Sequence, residues 1–561
     1  MTYDLRTERW IPWRRRSGTV EWGPPWLLTD GIAGDDPIVA LAAPRPDFDG
    51  ALQEFLIGLL GVAMQVADEE AWEALWRSPP TPETLRAALD RLPQAFDLDG
   101  DGPRFFQDFP AADLAAEAPG PIDQLLIDAV GDQTIKLNKD LFVKRGRVER
   151  LGRPAAAMAL LAMQTYAPAG GRGNRTSLRG GGPLTTLVDP RVDTGGELLA
   201  HERPLWEKLW ANVETLQQAA GRSPTANANS PADVFPWLAP TRSSAAANAA
   251  VTPASVSPWQ AYFGLPRRIR LEFGAAGRCD LTGRNDAATV ATFRSRPYGV
   301  QYAAWEHPLT PHYESPKKDW LPVHGQPGGI GWRDWLGLTF GTPDEKRRPA
   351  RTVAAFTGRA GRVDLREARL HAFGYDMDNA KARGWTDASQ PVFAAPDAEH
   401  RQLIGDAAGR LTEGTSLAAS LLFGGVQRAL FQRPEDAPGD LSVVKAELWA
   451  STEAPFFQAM RAIAAPGASI TAADEICQRF ARTLTHQALA IFDRWCPGDA
   501  LEPVALRRVV TARYNLARAL GGWTPLGEKL FATLRIPLPG GGRAARLAKS
   551  AKSRTRKEAK K

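Results

Sequence analysis

The stretch TAADEICQRFARTLTHQALAIFDRW, residues 471–495, reads as one long amphipathic helix. Ile476, Phe480, Leu484, Ala488, Ile491 and Trp495 recur every three or four positions and define a single apolar stripe that must be buried. Thr471, with Asp474 three residues on, has the form of a capping box and sets the expected helix start. Working outward, similar stretches cover about 398–431, 441–464 and 503–520. Four such helices with connections of moderate length predict a four-helix bundle.

Upstream of about residue 395 the character changes. Short β-type runs (269–273, 290–293, 352–356) alternate with helical stretches such as 51–66 and with many prolines and glycines. Residues 223–257 are dominated by Ala, Asn, Ser, Thr and Pro and read as a long loop or partly disordered insertion. The expected fold class is therefore α+β. A large mixed N-terminal domain of unusual topology spans 1–395, the helical bundle spans 396–540, and a disordered basic tail spans 541–561.

Charge narrows the function. The chain has 561 residues and a net charge of +6, but residues 543–561 hold nine basic residues and one acid. The rest of the chain is thus slightly acidic, which excludes a uniformly basic nucleic-acid binder and leaves local patches. One such patch lies between 134 and 180, with ten Lys/Arg against Asp140 and Glu149. The apolar run at 155–163 is far too short to cross a bilayer, and the first apolar stretch is broken by Arg6, Glu8 and Arg9, unlike a signal peptide. Cys279, Cys477 and Cys496 form no CxxC pair, which suits a reducing cytoplasm and predicts no metal site.

Four motifs invite chemistry. Gly170-Gly171-Arg172-Gly173-Asn174-Arg175 combines glycines that permit close backbone approach with arginines suited to phosphates or a narrow minor groove. It lacks the GK[ST] of a phosphate-binding loop, and a solvated flexible loop is an equal reading. The run from Ile135 to Arg145 sets Phe142 between Lys139 and Lys144, as in a stacking platform for single-stranded bases; an ordinary half-buried hairpin strand is slightly favoured. Asp376-Met377-Asp378 could hold Mg²⁺ in a metal-dependent nuclease, although strand alternation also puts both carboxylates on one face. Asp97-Leu98-Asp99-Gly100-Asp101-Gly102 formally resembles a calcium loop, but Pro103 and Asp108 stand where a ligating residue and the bidentate Glu belong, so an acidic turn is expected. The seven scattered histidines accompany no nucleophile signature.

Taken together, several segments resemble the CasA family, the large subunits of type I-E CRISPR surveillance complexes. Asp4 to Trp13 is similar to the family's opening strand with its WIP signature. Leu178-Arg179-Gly180-Gly181-Gly182-Pro183-Leu184-Thr185-Thr186 resembles its motif LRGGxPxTT, and Trp305-Glu306-His307-Pro308 and Gly374-Tyr375-Asp376-Met377-Asp378-Asn379 follow in the family's order. The resemblance implies a non-catalytic subunit without cofactor. Its partners are the other Cascade subunits, CRISPR guide RNA, target double-stranded DNA and a recruited helicase-nuclease, with no membrane. It implies PAM contacts at Gly171, Arg172, Gly173, Asn174 and Arg296 (Arg294 as fallback), and a strand-separating wedge at Asp378 and Asn379. Guide-RNA contacts would fall at Lys139, Phe142 and Lys144. The competing readings are a nuclease using Asp376 and Asp378, or a general RNA-binding scaffold.

Overall fold

The computed structural model describes all residues except 1, 139–145, 172, 193–198, 223–229, 247–248, 343, 364, 366, 379–380, 396, 434–439, 499–502 and 540–561. The basic tail, and Arg172, Asn379, Lys139, Phe142 and Lys144 among the expected site residues, therefore lie outside the described residues. The chain forms two compact units. One comprises residues up to Ile330 together with Arg347–Ala394; the other comprises Gly331–Lys346 and the residues from Ala395 onward.

The first unit is built around the helix Pro46–Met64, which is buried along nearly its whole length. Pro46 supplies a preset φ in the first turn, Asp47 and Asp49 favour the positive helix end, and Gln65 ends the helix in a left-handed conformation. Gly61 lets an aromatic ring touch the helix backbone: a Cβ there would stand 2.2 Å from the Trp259 ring. The helix Arg153–Tyr166, rich in alanine, is buried in the same core. Aromatic rings cluster beside them: Phe55 meets Trp10 and Phe105 edge to face, the latter with centroids 5.5 Å apart, while Phe106 packs at a tilt on Trp237 and Phe263.

Of the antiparallel sheets in this unit, three bear on the candidate site. Ile11–Arg15 lies between Val20–Gly23 and Ile38–Leu41. Thr289–Arg296 pairs with Arg268–Phe273, setting Arg294 opposite Arg270 and Arg296 opposite Arg268. The third sheet is a long hairpin, Glu367–Asp378 with Lys381–Phe393, whose first strand also pairs with Thr185–Asp189.

Several expectations need correction here. Residues 352–356 are not a strand but part of the helix Arg351–Arg362; Thr352, Val353, Phe356, Arg359 and Ala360 are buried at helical spacing, which overrides the β-branched pair. Within 223–257, the described residues form a loop, as one of the two readings has it, but one packed into the first unit. They run through short 3₁₀ turns, and Phe235, Trp237, Val251 and Val256 enter the core. Residues 135–136 belong to the helix Asp132–Lys136 rather than to a hairpin strand.

In the second unit, Ala398–Leu430 starts at Asp397, whose carboxylate caps His400 N. The helix over 470–495 starts two residues earlier than expected, at Ser469, whose hydroxyl accepts from Ala472 N. Asp474 is thereby released from capping and pairs with Arg410 at 2.6 Å. Ile476, Phe480, Leu484, Ala488 and Ile491 are buried, while half-buried Trp495 donates from its indole N–H to Glu447 at 2.7 Å. The expected helix over 441–464 is two helices, Ser442–Ser451 and Glu453–Ile463. Pro455 has no N–H to bond back across the junction, and the break at Thr452 accommodates it. Pro503–Leu520 is followed by a further helix, Pro525–Thr533. Residues 331–346 join this unit because Trp332 stacks on Phe456 at 4.3 Å and donates to the Trp449 carbonyl at 2.7 Å. Among the described residues, no single helix is long and apolar enough to cross a membrane.

Candidate nucleic-acid interface

The glycine-rich strip from 168 to 183 rests on a buried charge pair. Arg179 and Glu54 are each about 5 % exposed and are joined by a direct salt bridge. Arg179 Nη1 also donates to Thr185 Oγ1 at 3.0 Å and Thr310 Oγ1 at 2.8 Å. Glu54 in turn accepts from Tyr166 OH at 2.9 Å and Thr185 Oγ1 at 2.6 Å. Every group in this cluster has a partner, which makes the buried ions tolerable. Arg179 therefore anchors the strip from beneath and cannot meet a ligand.

From this anchor the strip reaches two neighbours. Gly182 has φ +64°, and a Cβ there would stand 2.5 Å from Met377 Cγ, so the hairpin strand packs directly on this glycine. The bridge between Gly325 and Asp376 holds the same strand from a second side. On the other flank, Gly173 has φ +82°; its Cβ would lie 2.8 Å from Pro297 Cβ, and its carbonyl accepts from Tyr298 N at 2.7 Å. Gly171, at φ +74°, faces open space. Here the chain needs glycine both for its left-handed backbone and for the close approach.

Asn174 and Arg175 are both hydrogen-bonded within the fold. The Asn174 amide donates to the Gly170 carbonyl and fastens the loop. Arg175 donates to Ser244 Oγ at 2.7 Å and to its carbonyl at 3.1 Å. Beneath the loop, Arg267 donates to the Pro168 carbonyl, and burial pushes its guanidinium down to about 10. The basic count over 134–180 thus overstates the surface charge: Arg153 pairs with Asp286 at 2.7 Å, and Arg175 and Arg179 are likewise committed within the fold.

Arg296 stands directly before Pro297 and Tyr298, so the structure brings it beside Gly173. Its guanidinium, 38 % exposed, pairs with Glu117 at 3.2 Å and Asp113 at 3.5 Å, and donates to the Asp113 carbonyl at 2.8 Å. Arg294 is held by Glu272 at 2.7 Å. A ligand phosphate at Arg296 would have to compete with these carboxylates.

On the hairpin, Asp376 and Asp378 share one guanidinium, Arg383, at 2.6 and 3.8 Å. Asp378 is exposed and faces Lys381 at the last described rung. The hairpin root is fixed by Tyr375, whose hydroxyl donates to buried Asp47 at 2.7 Å. A second root contact runs from Lys208 Nζ to His371 Nδ1 (2.7 Å) and from His371 Nε2 to Asp387 (3.1 Å). Burial pushes Lys208 down to about 8, and burial with the nearby Lys208 lowers His371.

The acidic turn at 97–108 is structural. Asp99 accepts from Tyr3 N at 2.7 Å, and buried Asp108 pairs with Arg268 at 2.9 Å. Among the described residues there is no group of three or more His, Cys, Asp or Glu placed to hold a metal ion. Sequence reasoning missed Glu54, Tyr298, Met377 and Arg383. Glu54 carried the clearest signal, as the acid within the apolar run from Ala51 to Ala63.

Residues 4–491 match the family model for CRISPR-associated protein Cse1. The fold is similar to that of Thermobifida fusca Cse1, with a TM-score of 0.69 and 18 % identity over 95 % of this chain and 98 % of that one. Cse1 from Acidimicrobium ferrooxidans gives a TM-score of 0.64 at 17 % identity, over 95 % and 99 % of the two chains. A chain of a CRISPR RNA-guided surveillance complex gives 0.65 at 18 % identity, over 92 % and 99 %. No curated protein matches the chain.

Proposed function

Because the chain belongs to the CRISPR-associated Cse1 family, we propose that it is the non-catalytic large subunit of an RNA-guided Cascade-type complex. In this reading it recognises the PAM of target double-stranded DNA, helps to start strand separation, and offers the docking platform for a helicase-nuclease. The observation that carries the reading is the glycine loop. Gly173 is locked against Pro297 and Tyr298 while Gly171 faces open space. Glycines placed in this way suit the floor of a minor groove, where bulk is excluded and backbone groups can meet base edges.

Arg296, at the loop's flank, is the described cation closest in sequence to the Tyr298 contact and is assigned a phosphate or groove contact. Asp378 belongs to the wedge hairpin, with Asn379 assigned to its tip. Arg172 completes the loop set, and Lys139, Phe142 and Lys144 are assigned to the guide RNA. The nuclease reading is weakened because Asp376 and Asp378 already share Arg383. A general RNA scaffold is less favoured because Arg153, Arg175 and Arg179 are engaged within the fold.

The test is a gel-shift titration at fixed salt with guide-loaded complex assembled with and without this chain. Targets match the guide and carry a functional or a scrambled flank. Tight binding only by the complete complex, and only with the functional flank, is the expected result. Equal binding without the chain would overturn the assignment. Cleavage by the isolated chain with Mg²⁺, lost in Asp376→Ala, would restore the nuclease reading.

A further inference from the structure

A cleft of about 900 Å³ opens between the loops at 99–104 and 110–115 and the strands Arg268–Phe273 and Thr289–Arg296. Two guanidiniums line it without a carboxylate at ion-pair distance. Arg104 donates from Nε to the Gly100 carbonyl at 2.6 Å and from Nη1 to the Leu271 carbonyl at 3.0 Å, and lies over the Phe273 ring at 5.6 Å. Arg270 donates to the carbonyls of Asp108 at 3.0 Å and Gly102 at 3.3 Å. Each guanidinium therefore keeps about three of its five N–H groups uncommitted.

The other arginines on the strands that border the cleft are paired with carboxylates. Arg268 is paired with Asp108 and Asp113, Arg294 with Glu272, and Arg296 with Asp113 and Glu117. Arg294 lines the cleft as well but is taken by Glu272, so among the described arginines of the cleft Arg104 and Arg270 are the two held by main-chain carbonyls alone. Partial burial and the adjacent Arg270 push Arg104 down to about 10, and burial lowers Arg270 as well. Two half-buried like charges side by side destabilise the empty cleft, and a bound anion relieves both.

The acids of the cleft are placed elsewhere. Glu272 is taken by Arg294 and the Thr292 hydroxyl, and Asp99 by Tyr3 N. Asp101 stands exposed at the rim, where it attracts both guanidiniums from a distance. Pro110, Ala111, Ala112, Leu114 and Ala115 also line the cleft and give it small apolar surface.

We propose that this cleft binds a nucleoside phosphate, with Arg104 and Arg270 gripping the phosphate and the apolar surface at 110–115 receiving the base. Guanidinium pairs offer several forked donors to a tetrahedral dianion, which a lone carboxylate would leave partly unused. The ligand is either a free mononucleotide or the terminal nucleotide of a strand. The inference does not depend on the duplex reading of the glycine loop.

Isothermal titration of the full chain with adenosine 5′-monophosphate, adenosine, and one short single-stranded oligonucleotide bearing either a 5′-phosphate or a 5′-hydroxyl tests it. The monophosphate or the 5′-phosphorylated strand is expected to bind, adenosine is not, and Arg104→Gln or Arg270→Gln is expected to weaken binding about tenfold or more. A preference for the phosphorylated over the hydroxyl strand assigns a strand end; tighter binding of the monophosphate than of either strand assigns a free nucleotide. Asp101→Asn, which removes an exposed rim charge, is expected to tighten binding about twofold. The proposal falls if the wild type binds neither phosphorylated probe or if both arginine variants bind as the wild type does. Should those variants fail to fold, an unchanged or weakened Asp101→Asn overturns it.

Discussion

Arg179→Met is the substitution that most directly tests how the glycine strip is held. It removes the cation from a Glu54 carboxylate that is about 5 % exposed, leaving only the Tyr166 and Thr185 hydroxyls as donors. Breaking one partner out of a buried pair costs about 3–5 kcal/mol, because the other charge stays buried without compensation. Adding Glu54→Gln removes that charge. The residual cost is then the unmet hydroxyls at Thr185 and Thr310, about 1–2 kcal/mol. The double variant should therefore be more stable than Arg179→Met alone by about 2 kcal/mol, a sign reversal that simple contact counting does not produce. Urea unfolding gives the stabilities, and hydrogen exchange of the Pro46–Met64 helix and residues 177–184 localises the loss to the first unit. An Arg179→Met cost below about 1 kcal/mol, or a double variant as unstable as the two single losses added, would refute the account.

Three further outcomes are expected. Gly173→Ala forces a side chain at φ +82° into Pro297, so it should cost about 1–2 kcal/mol and weaken PAM-dependent binding of the assembled complex, read by gel shift. Lys208 has its pKa lowered from 10.5 to about 8 in the fold, so between those values the unfolded chain holds a proton that the folded chain has released, and stability should rise with pH by up to about 1.4 kcal/mol per unit. Lys208→Met should flatten that slope in urea titrations from pH 8 to 10.5, and an unchanged slope would remove Lys208 as the cause. Removing residues 543–561 should reduce the salt dependence of DNA binding while sparing PAM selectivity, measured by titration at several salt concentrations.

What the sequence revealed depended on how local its cause was. The helix over 470–495 was legible because its stripe repeats within a few turns, and only the cap was misplaced, by two residues, since Ser469 and Thr471 both suit the role. Residues 352–356 misled because Thr and Val favour strands in isolation; the helix there is set by what Val353 and Phe356 bury against. Residues 331–346 carried no local sign that Trp332 stacks on Phe456, more than a hundred residues away. The candidate site divides in the same way. Motifs located the glycine strip and the Asp376–Asp378 run, yet the partners that decide their chemistry, Glu54, Tyr298 and Arg383, come from elsewhere in the chain or across the hairpin. Charge counting was least reliable, because a count over 134–180 cannot tell Arg179, buried on Glu54, from an exposed cation.

Those long-range partners also bear on mechanism. A loop that reads a groove through its backbone gains selectivity only if the backbone resists deformation; a compliant loop would relax around the wrong base pair and erase the difference in energy. Here the strip is fixed at separate points: Gly173 on Tyr298, Asn174 on Gly170, Arg179 on Glu54 and Gly182 against Met377. The last contact joins the strip to the same strand that carries Asp376 and Asp378. On the proposed wedge role, a force on the hairpin during strand opening would reach the glycine loop through Met377 and Gly182 rather than through a flexible linker. Met377→Ala tests this coupling. It empties the contact over Gly182 without touching the Gly173 loop, so wild-type affinity for the PAM duplex with slowed R-loop formation, followed by fluorescence of a base analogue beside the PAM, is the expected result. Unchanged opening kinetics would show that the hairpin and the loop act independently.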